Sequence, residues 1–376
     1  MGFWEHASLV KRIVGIVLAV LLIGGVAAAV VAGREGAGTR TGTGTGTATK
    51  TVRGVIGSEK SEFFADPDVV KALADKGLAV TTETSGSWAM EELPLKGYDF
   101  AFPASEAPAT ALDATYKVPG SPLRPFYSPL VVVAHRPVAQ VLARNGLAAL
   151  DGKPGAEARG TLRMRPFLDA VRADRTWQQL KGASAHAELN GTVFISSTDP
   201  ETSNSGALYL AAASFVANGG LVTDAAGVDR TAPLLRKLIA PQGAQQTSSD
   251  APFRDFISGA GNPLVLVYES QVASLLLQKQ DVGDLVVLYP DTTVNSAHTL
   301  VPLPGEGRAL GELLTTDTRL RELAVRHGFR PQGAAAEFTS ATAAHAAYLN
   351  QTLAGVHQAP VPTTEWLQAM ARRSRS

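Results

Sequence analysis

Twenty consecutive uncharged residues, most of them apolar, extend from Ile13 to Ala32 near the start of the chain. At about 1.5 Å per residue, a helix of this length covers the roughly 30 Å hydrocarbon core of a bilayer. Lys11 and Arg12 precede the run, and basic residues favour the cytoplasmic side of a membrane. We therefore expect residues 1–12 in the cytoplasm, a single-pass signal anchor at 13–32, and the rest of the chain outside the cell membrane.

A cleaved signal peptide is the alternative, because the small residues before Gly33 resemble a cleavage site. The chain would then be secreted after a cut near Ala32. The apolar stretch of a signal peptide is roughly 7–15 residues, so the longer run here favours the retained anchor. Residues 33–50 alternate glycine and threonine and have no apolar face to bury, which predicts a flexible linker.

The composition excludes several classes of protein. The chain has 376 residues and no cysteine, which rules out disulfide scaffolds, thiolate metal sites, thiol nucleophiles and a lipidated cysteine anchor. Its 34 basic residues balance 34 acidic ones, and the part after residue 50 carries a net charge of −3. A nucleic-acid partner is not expected, because phosphate-backbone affinity depends mainly on a surplus of lysine and arginine.

Short β-branched runs alternate with helical patterns after residue 50, which predicts an α/β fold with a parallel sheet covered by helices on both faces. The helix after Asp66-Pro67 has an N-cap followed by proline at its first position. The pattern occurs twice, which indicates two lobes. The predicted strands are Thr51–Ile56, Leu78–Thr82, Tyr98–Phe102, Tyr127–Ala134, Gly191–Ser196, Pro263–Tyr268, Asp284–Tyr289 and His298–Leu303.

The end of the chain is predicted to add helices to the outside of these lobes. Ala334 to Ala347 is alanine-rich, and a helix is expected around Tyr348 to Val356. We therefore predict a helical C-terminal extension over residues 333–376.

Polar loops follow three of the predicted strands, at the strand ends where open α/β sheets bind ligands. Hydroxyls and backbone N–H groups at a helix N-terminus suit an anion or a strongly polar ligand, because the donors and the helix dipole point the same way. Helix capping explains any one such loop by itself, but three at corresponding edges of two lobes favour a binding cleft. The candidate residues are Ser58, Ser85, Gly86, Ser87, Thr202, Ser203, Asn204, Ser205 and Gly206.

Enzymatic motifs are missing from the sequence. It has no G-x-S-x-G elbow, no H-E-x-x-H and no phosphate-binding G-x-x-x-x-G-K-[ST] loop, and its seven histidines lack metal-ligand spacing. We therefore expect no catalytic residue, no metal and no cofactor. Tyr268 ends one strand and Glu269 follows it; Glu269 is either a ligand contact or a hydrogen-bonded strand-end residue.

Five short motifs occur in a distinctive order. They are G-S-E-K after the first strand, S-G-S after the second, D-P-E-T-S-N-S-G-A-L before a helix, the segment PLVLVYES, and the stretch from Leu314 to Pro331. This order resembles bacterial extracellular solute-binding proteins of the type 2 periplasmic-binding-protein fold, nearest to the phosphate- and molybdate-binding branches. The resemblance covers about Val52 to Gln332.

The resemblance implies a two-lobed domain over residues 51–332 that closes by hinge rotation around a ligand. Lobe I would comprise about 52–130 and 300–332, and lobe II about 135–288, with crossing strands at Tyr127–Ala134 and Tyr289–Leu303. Two features depart from the family: a protein helix in place of a lipid anchor, and Glu59 beside Lys60 in place of an arginine in lobe I. By position, the hydroxyls of Ser58, Ser85 and Ser87 would donate from lobe I, and Thr202 to Gly206 with Tyr268 from lobe II.

The leading hypothesis is a membrane-anchored extracytoplasmic protein that captures a small polar solute, an oxyanion, between its lobes. Its expected partners are this solute, the membrane through residues 13–32, and a transport permease or another membrane partner. The alternative is an anchored sensor or protein-interaction module on the same fold without a role in transport.

Overall fold

The computed structural model of the chain describes residues 49–118 and 120–375. The predicted cytoplasmic segment, the predicted anchor and nearly all of the predicted linker therefore lie outside the described residues. Lys50, assigned to the linker, instead begins the first strand, where its N–H donates to Gly77 O over 2.7 Å. Within the described range, no helix combines the length and the apolar character needed to cross a membrane.

Strands are found close to most of the predicted positions. In chain order they are β1 (Lys50–Ile56), β2 (Leu78–Thr84), β3 (Phe100–Phe102), β4 (Leu123–His135), β5 (Ala148–Leu150), β6 (Arg159–Leu162), β7 (Leu264–Tyr268), β8 (Leu285–Pro290), β9 (Thr292–Thr293), β10 (Asn295–Pro302), β11 (Arg330–Pro331) and β12 (His357–Gln358).

Helices connect these strands. They are α1 (Ser61–Ala65), α2 (Pro67–Ala74), α3 (Glu106–Tyr116), α4 (Arg136–Arg144), α5 (Met164–Arg172), α6 (Asn204–Asn218), α7 (Ala225–Ile239), α8 (Asp250–Ile257), α9 (Glu269–Leu277), α10 (Gly307–Thr316), α11 (Thr318–Arg326), α12 (Ala335–Ala341) and α13 (Thr364–Arg375). The Asp66 side chain accepts from the Asp68 N–H and caps α2, as the Asp-Pro pair predicts.

Strand β4 joins the two lobes. The sheet order is β2-β1-β3-β10-β4-β8-β6-β5, and β7 and β11 also pair with β4. The first half of β4 pairs with β10 in lobe I, and the second half, from Leu130 to His135, pairs with β7 and β8 in lobe II. The chain returns to lobe I through β8, β9 and β10, so both connections lie where crossing strands were expected.

The sheet is mixed, and the expectation of a parallel sheet is wrong. Strand β1 runs parallel to β2 and β3, and β6 runs parallel to β8. The central strand β4, however, is antiparallel to β7, β8 and β10. The returning segment β8–β10 travels back between the lobes, so it has to run opposite to β4.

Each lobe packs apolar side chains on both faces of its part of the sheet. In β1, Val52 and Ile56 enter one buried cluster and Val55 enters another, as the two-residue period of a strand requires. In β4, Val132 and Val131 divide between two lobe II clusters in the same way. Helices cover both faces of the sheet, which confirms the predicted α/β class.

The strand predicted at Gly191–Ser196 is absent from the described structure. The Ser196 N–H donates to Leu264 O and the Ser196 carbonyl accepts from Leu266 N–H, each over 2.8 Å, which forms one isolated bridge to β7. The next N–H, that of Ser197, donates to the Gln242 side chain over 2.7 Å. Residues 191–193 pair instead with residues 175–177: the Trp177 N–H donates to Gly191 O over 2.9 Å, and the Val193 N–H donates to Arg175 O over 3.0 Å.

The helix predicted around Tyr348–Val356 is also wrong, because this segment forms successive turns. Leu353 and Gly355 have φ angles of 55° and 76°, which lie in the left-handed region and are incompatible with a continuing α-helix. The described part of the C-terminal extension instead contains α12 and α13. Helix α13 packs mainly on α7, and also contacts α6 and α3.

Candidate functional site

The loop after β1 buries an ionic cluster beneath the surface of lobe I. Gly57 leads into a short 3-10 turn, Ser58–Lys60, that runs into α1. The side chains of Glu59 and Lys60 form a buried ion pair, and both contact His298 of β10. His298 Nδ1 lies 3.4 Å from a Glu59 carboxylate oxygen and 3.2 Å from Lys60 Nζ.

The charges in this cluster follow from burial and pairing. Burial alone would raise the pKa of Glu59, but the Lys60 charge and hydrogen bonding to His298 lower that pKa to about 2. Burial and the Lys60 charge lower the pKa of His298 to about 4, against the opposing effect of Glu59. At neutral pH Glu59 is therefore ionised and His298 is neutral. The charge of the Glu59 carboxylate is balanced by its ion pair with Lys60.

The loop after β2 brings lobe I against lobe II. Ser87 Oγ accepts from the Ala104 N–H over 2.9 Å, which fixes the serine within lobe I. The Trp88 N–H donates over 3.1 Å to the carbonyl of Thr202, across the cleft. A Cβ atom added at Gly86 would lie 2.4 Å from the same carbonyl oxygen, so only glycine permits this approach.

The third loop ends at the N-terminus of α6, where Ser203 is the N-cap residue. The Asn204 side chain is buried and donates from Nδ2 to Tyr268 Oη over 3.1 Å and to Ser296 Oγ over 3.3 Å. Its Oδ1 accepts from Ser105 Oγ of lobe I over 2.5 Å. Asn204 therefore connects the head of α6 to both the end of β7 and lobe I.

Ser205 and Gly206, in the first turn of α6, contact the loop that precedes the helix. Ser205 Oγ lies 2.7 Å from Thr198 Oγ1, and the Gly206 N–H donates to the same oxygen over 2.8 Å. These two predicted donors stabilise the loop before α6 and do not line the cleft.

Polar groups from both lobes surround a small cavity between these loops. Its volume is about 10 Å³, roughly the space of one water molecule. Ser249 lines the cavity and is buried, and within the described residues its hydroxyl has no hydrogen-bond partner. The lining residues are Gly57, Ser58, Glu59, Ser85, Gly86, Ser87, Ser203, Asn204, Thr247, Ser249 and Tyr268.

Seven predicted residues therefore meet in this cleft: Ser58, Ser85, Gly86, Ser87, Ser203, Asn204 and Tyr268. Sequence reasoning missed Thr247 and Ser249, which come from the polar loop before α8. The signal was the Thr-Ser-Ser-Asp run at positions 247–250, a pattern typical of a helix N-terminus.

Glu269 lies outside the cleft, in a buried ion pair. Arg330 Nε and Nη2 donate to its two carboxylate oxygens over 2.6 and 2.9 Å, and the Tyr289 hydroxyl donates to it as well. Arg330 also donates to the carbonyls of Asn350 and Gln351. Of its two sequence interpretations, the geometry corresponds to the hydrogen-bonded strand-end residue.

Direct hydrogen bonds close the cleft. Ser248 Oγ of lobe II donates to Ser58 Oγ of lobe I over 3.0 Å, in addition to the Ser105–Asn204 and Trp88–Thr202 bonds. Several of the predicted ligand donors are thus engaged between the lobes in this conformation. A solute larger than a water molecule requires the lobes to separate.

The chain is similar to known proteins in fold. No family model matches the sequence, and no curated protein matches it. Solved structures do match: the sulfate-binding protein SubI from Mycobacterium tuberculosis H37Rv is 14% identical, with a TM-score of 0.55, and the match covers 85% of this chain and 96% of that one. A periplasmic thiamin binding protein is 14% identical, with a TM-score of 0.50 and coverage of 87% and 97%.

A third match is the periplasmic binding protein AfuA from Actinobacillus pleuropneumoniae, in a structure with fructose-6-phosphate bound. It is 10% identical, with a TM-score of 0.50, and the match covers 87% of this chain and 97% of that one. At identities of 10–14% these similarities show the fold alone. The described domain has the two-lobed α/β fold of the type 2 periplasmic solute-binding proteins.

Proposed function

We propose that this protein is an extracytoplasmic solute-binding protein, held at the cell membrane through residues 13–32, which captures a small polar solute between its lobes. The observation that carries the proposal is the meeting of serine hydroxyls from both lobes at one cleft. Ser58, Ser85 and Ser87 come from lobe I, and Ser203 and Ser249 from lobe II. Such convergent polar groups between two lobes are typical of a ligand site.

An oxyanion is the solute class that we propose. The N-terminus of the fifteen-residue helix α6 opens at the cleft beside Ser203, and a helix dipole favours negative charge at that end. Lys60 compensates the charge of Glu59, so that carboxylate opposes an anion less than it would alone. The unpartnered hydroxyl of Ser249 supplies a further donor in the same place.

A transport permease is the partner that we propose for the loaded protein. The two-lobed fold supports this proposal, because closed lobes would present a permease with a surface that separated lobes lack. No enzymatic activity is part of the proposal.

Thermal unfolding of the full chain with phosphate, sulfate, molybdate, tungstate and neutral sugars tests the function. A solute at 100 times its dissociation constant should stabilise the fold by about 2.7 kcal/mol. Ser203→Ala should weaken that response, whereas Ser258→Ala, at an exposed position after α8, should leave it unchanged. Identical melting curves for every solute would contradict the proposal, and a response to sugars alone would contradict the oxyanion class.

A sensor or protein-interaction module is the second candidate, and the position of α13 favours it. Thr364 Oγ1, at its start, donates to Ala107 O of lobe I over 3.2 Å, while Arg375, at its end, pairs with Asp199 of lobe II at 2.6 Å. A helix attached to both lobes opposes their separation. Capture of a membrane partner should then persist in the double variant Ser58→Ala, Ser203→Ala, and loss of the partner would favour solute-dependent function.

A further inference from the structure

Beyond Ser58 and Glu59 the interlobe groove widens into a second cavity of about 370 Å³. This lateral chamber lies between α1 in lobe I and helices α8 and α9 in lobe II. Its volume falls within the roughly 300–1,000 Å³ of small-molecule sites, whereas the inner cleft holds about one water molecule. The lateral chamber therefore has room for an organic molecule in the closed conformation.

Carboxylates exceed cations on the chamber wall. Glu62 and Asp250 face the chamber with Arg254. His327 also lines it, but its Nε2 contacts the Asp66 carboxylate over 2.7 Å, and Glu59 is paired with the buried Lys60. Burial raises the pKa of Asp250, and the charges of Glu59 and Glu62 raise it further, against the effect of Ser58 and Arg254. A bound cation beside Asp250 would relieve this repulsion between carboxylates.

A buried hydroxyl on the same wall lacks a partner. Ser270, in the first turn of α9, is 1% exposed, and its Oγ makes no hydrogen bond to any described residue. A buried hydroxyl without a partner costs free energy, so a ligand that pairs with it gains affinity. Gln271, beside it, donates to Asp250 Oδ1 over 2.9 Å and holds that carboxylate on the chamber wall.

Apolar side chains from the same two lobe II helices complete the lining. Phe253 and Ile257 of α8 and Leu275 of α9 line the chamber, and Ile257 is one of the few large apolar residues exposed in the described structure. A metal ion does not suit this site, since no cluster of ligating side chains that could hold one occurs among the described residues. The chamber thus combines surplus carboxylate, a free hydroxyl and a hydrocarbon surface.

We propose that the lateral chamber binds a small organic amine, with its ammonium group between Asp250, Glu62 and Ser270 and its hydrocarbon part against Phe253, Ile257 and Leu275. An ammonium group has three donors and no acceptor, which matches two carboxylates and a hydroxyl oxygen. The site shares Ser58 and Glu59 with the inner cleft. It needs neither an oxyanion nor open lobes, so it does not rest on the proposed function.

Calorimetric titration of the full chain with hexylamine, hexanol and hexanoate tests the site. These probes share a hydrocarbon chain and differ in the head group. Hexylamine is expected to bind at least about tenfold more tightly than hexanol, as a charge-assisted hydrogen bond allows, and hexanoate is expected to bind weakest. Equal affinity for hexylamine and hexanol, or no binding of hexylamine, would overturn the proposal.

Variants locate the binding. Asp250→Asn keeps an acceptor for Gln271 but removes the charge, and it should weaken hexylamine binding about tenfold or more. Ser270→Ala should also weaken it and should not impair folding, because it removes a buried unpaired hydroxyl. Asp255→Asn is the matched control on the same helix, since Asp255 does not line the chamber. A loss with Asp255→Asn equal to that with Asp250→Asn would overturn the assignment.

Ser203→Ala separates this site from the inner cleft. It should reduce the response to oxyanions and leave hexylamine affinity unchanged. Loss of hexylamine binding in Ser203→Ala would place the amine in the inner cleft and overturn the lateral site. If no oxyanion binds while hexylamine still does, the proposed function is contradicted and the amine site is not.

Discussion

At the scale of single residues, the cluster of Glu59, Lys60 and His298 sets the electrostatics of lobe I below the cleft. Three titratable groups are buried together, and the rings of Phe126, Phe329 and Tyr268 surround the imidazole. An unpaired charge at this depth would be costly, so Glu59 and Lys60 are retained as a pair and His298 stays neutral. Protonation of the imidazole would place a second cation beside Lys60, whose Nζ lies 3.2 Å from His298 Nδ1.

This burial predicts a pH dependence of stability. The imidazole has a pKa of about 6.5 in the unfolded chain and about 4 in the folded protein. Its contribution is therefore complete above pH 6.5 and is lost as the pH falls toward 4. His298→Gln should make the free energy of unfolding less dependent on pH, by roughly 1–2 kcal/mol between pH 7.5 and 5, as measured by urea denaturation.

The control is His357→Gln, which replaces an exposed histidine and should leave the pH dependence as it is. Glu59, with its pKa near 2, loses its contribution only below about pH 4.5 and so does not affect the chosen window. A parallel loss in the wild type and in His298→Gln between pH 7.5 and 5 would show that the imidazole is not buried neutral.

At the scale of elements, the sequence correctly predicts the strands and helices that are determined by residues close together in the chain. Strand β4 is recognisable because Pro129 to Ala134 is apolar throughout, as expected of a strand buried on both faces. Gly191–Ser196 contains the apolar run Val193 to Ile195, but its first residues pair with residues 175–177 and not with the main sheet. The turns after Tyr348 depend on the left-handed conformation of Leu353, which no local pattern predicts.

The residues of the candidate site likewise fall into those that local sequence predicts and those that only the fold brings together. Ser58, Ser85 and Ser203 were found because each follows a predicted strand or precedes a predicted helix. Ser249 was missed because its place opposite Ser58 depends on how the lobes close. Glu269 has a suitable position in the sequence, but its partner Arg330 is 61 residues away, so only the fold reveals the ion pair.

At the scale of the whole molecule, the lobes are held together by bonds that a solute would have to replace. Hydrogen bonds cross the cleft at Ser105–Asn204, Ser58–Ser248 and Trp88–Thr202. Trp88 of lobe I is also buried in the same apolar cluster as residues of lobe II. Helix α13 contributes Leu367 and Met370 to that cluster. The closed conformation is thus stabilised both at the mouth of the cleft and behind it.

Gly86→Ala tests whether the contact between the loop after β2 and Thr202 holds the lobes closed. The new methyl group would lie 2.4 Å from the Thr202 carbonyl oxygen, a backbone atom of the other lobe that cannot move without shifting the loop before α6. Such overpacking costs about 1–3 kcal/mol. It raises the free energy of the closed conformation only, because the two loops are apart when the lobes separate. The variant should therefore favour separated lobes, visible as a larger radius of gyration in small-angle X-ray scattering. Gly220→Ala, which meets no atom within 4 Å, is the matched control, and an unchanged radius in Gly86→Ala would mean that the Trp88–Thr202 contact does not hold the lobes together.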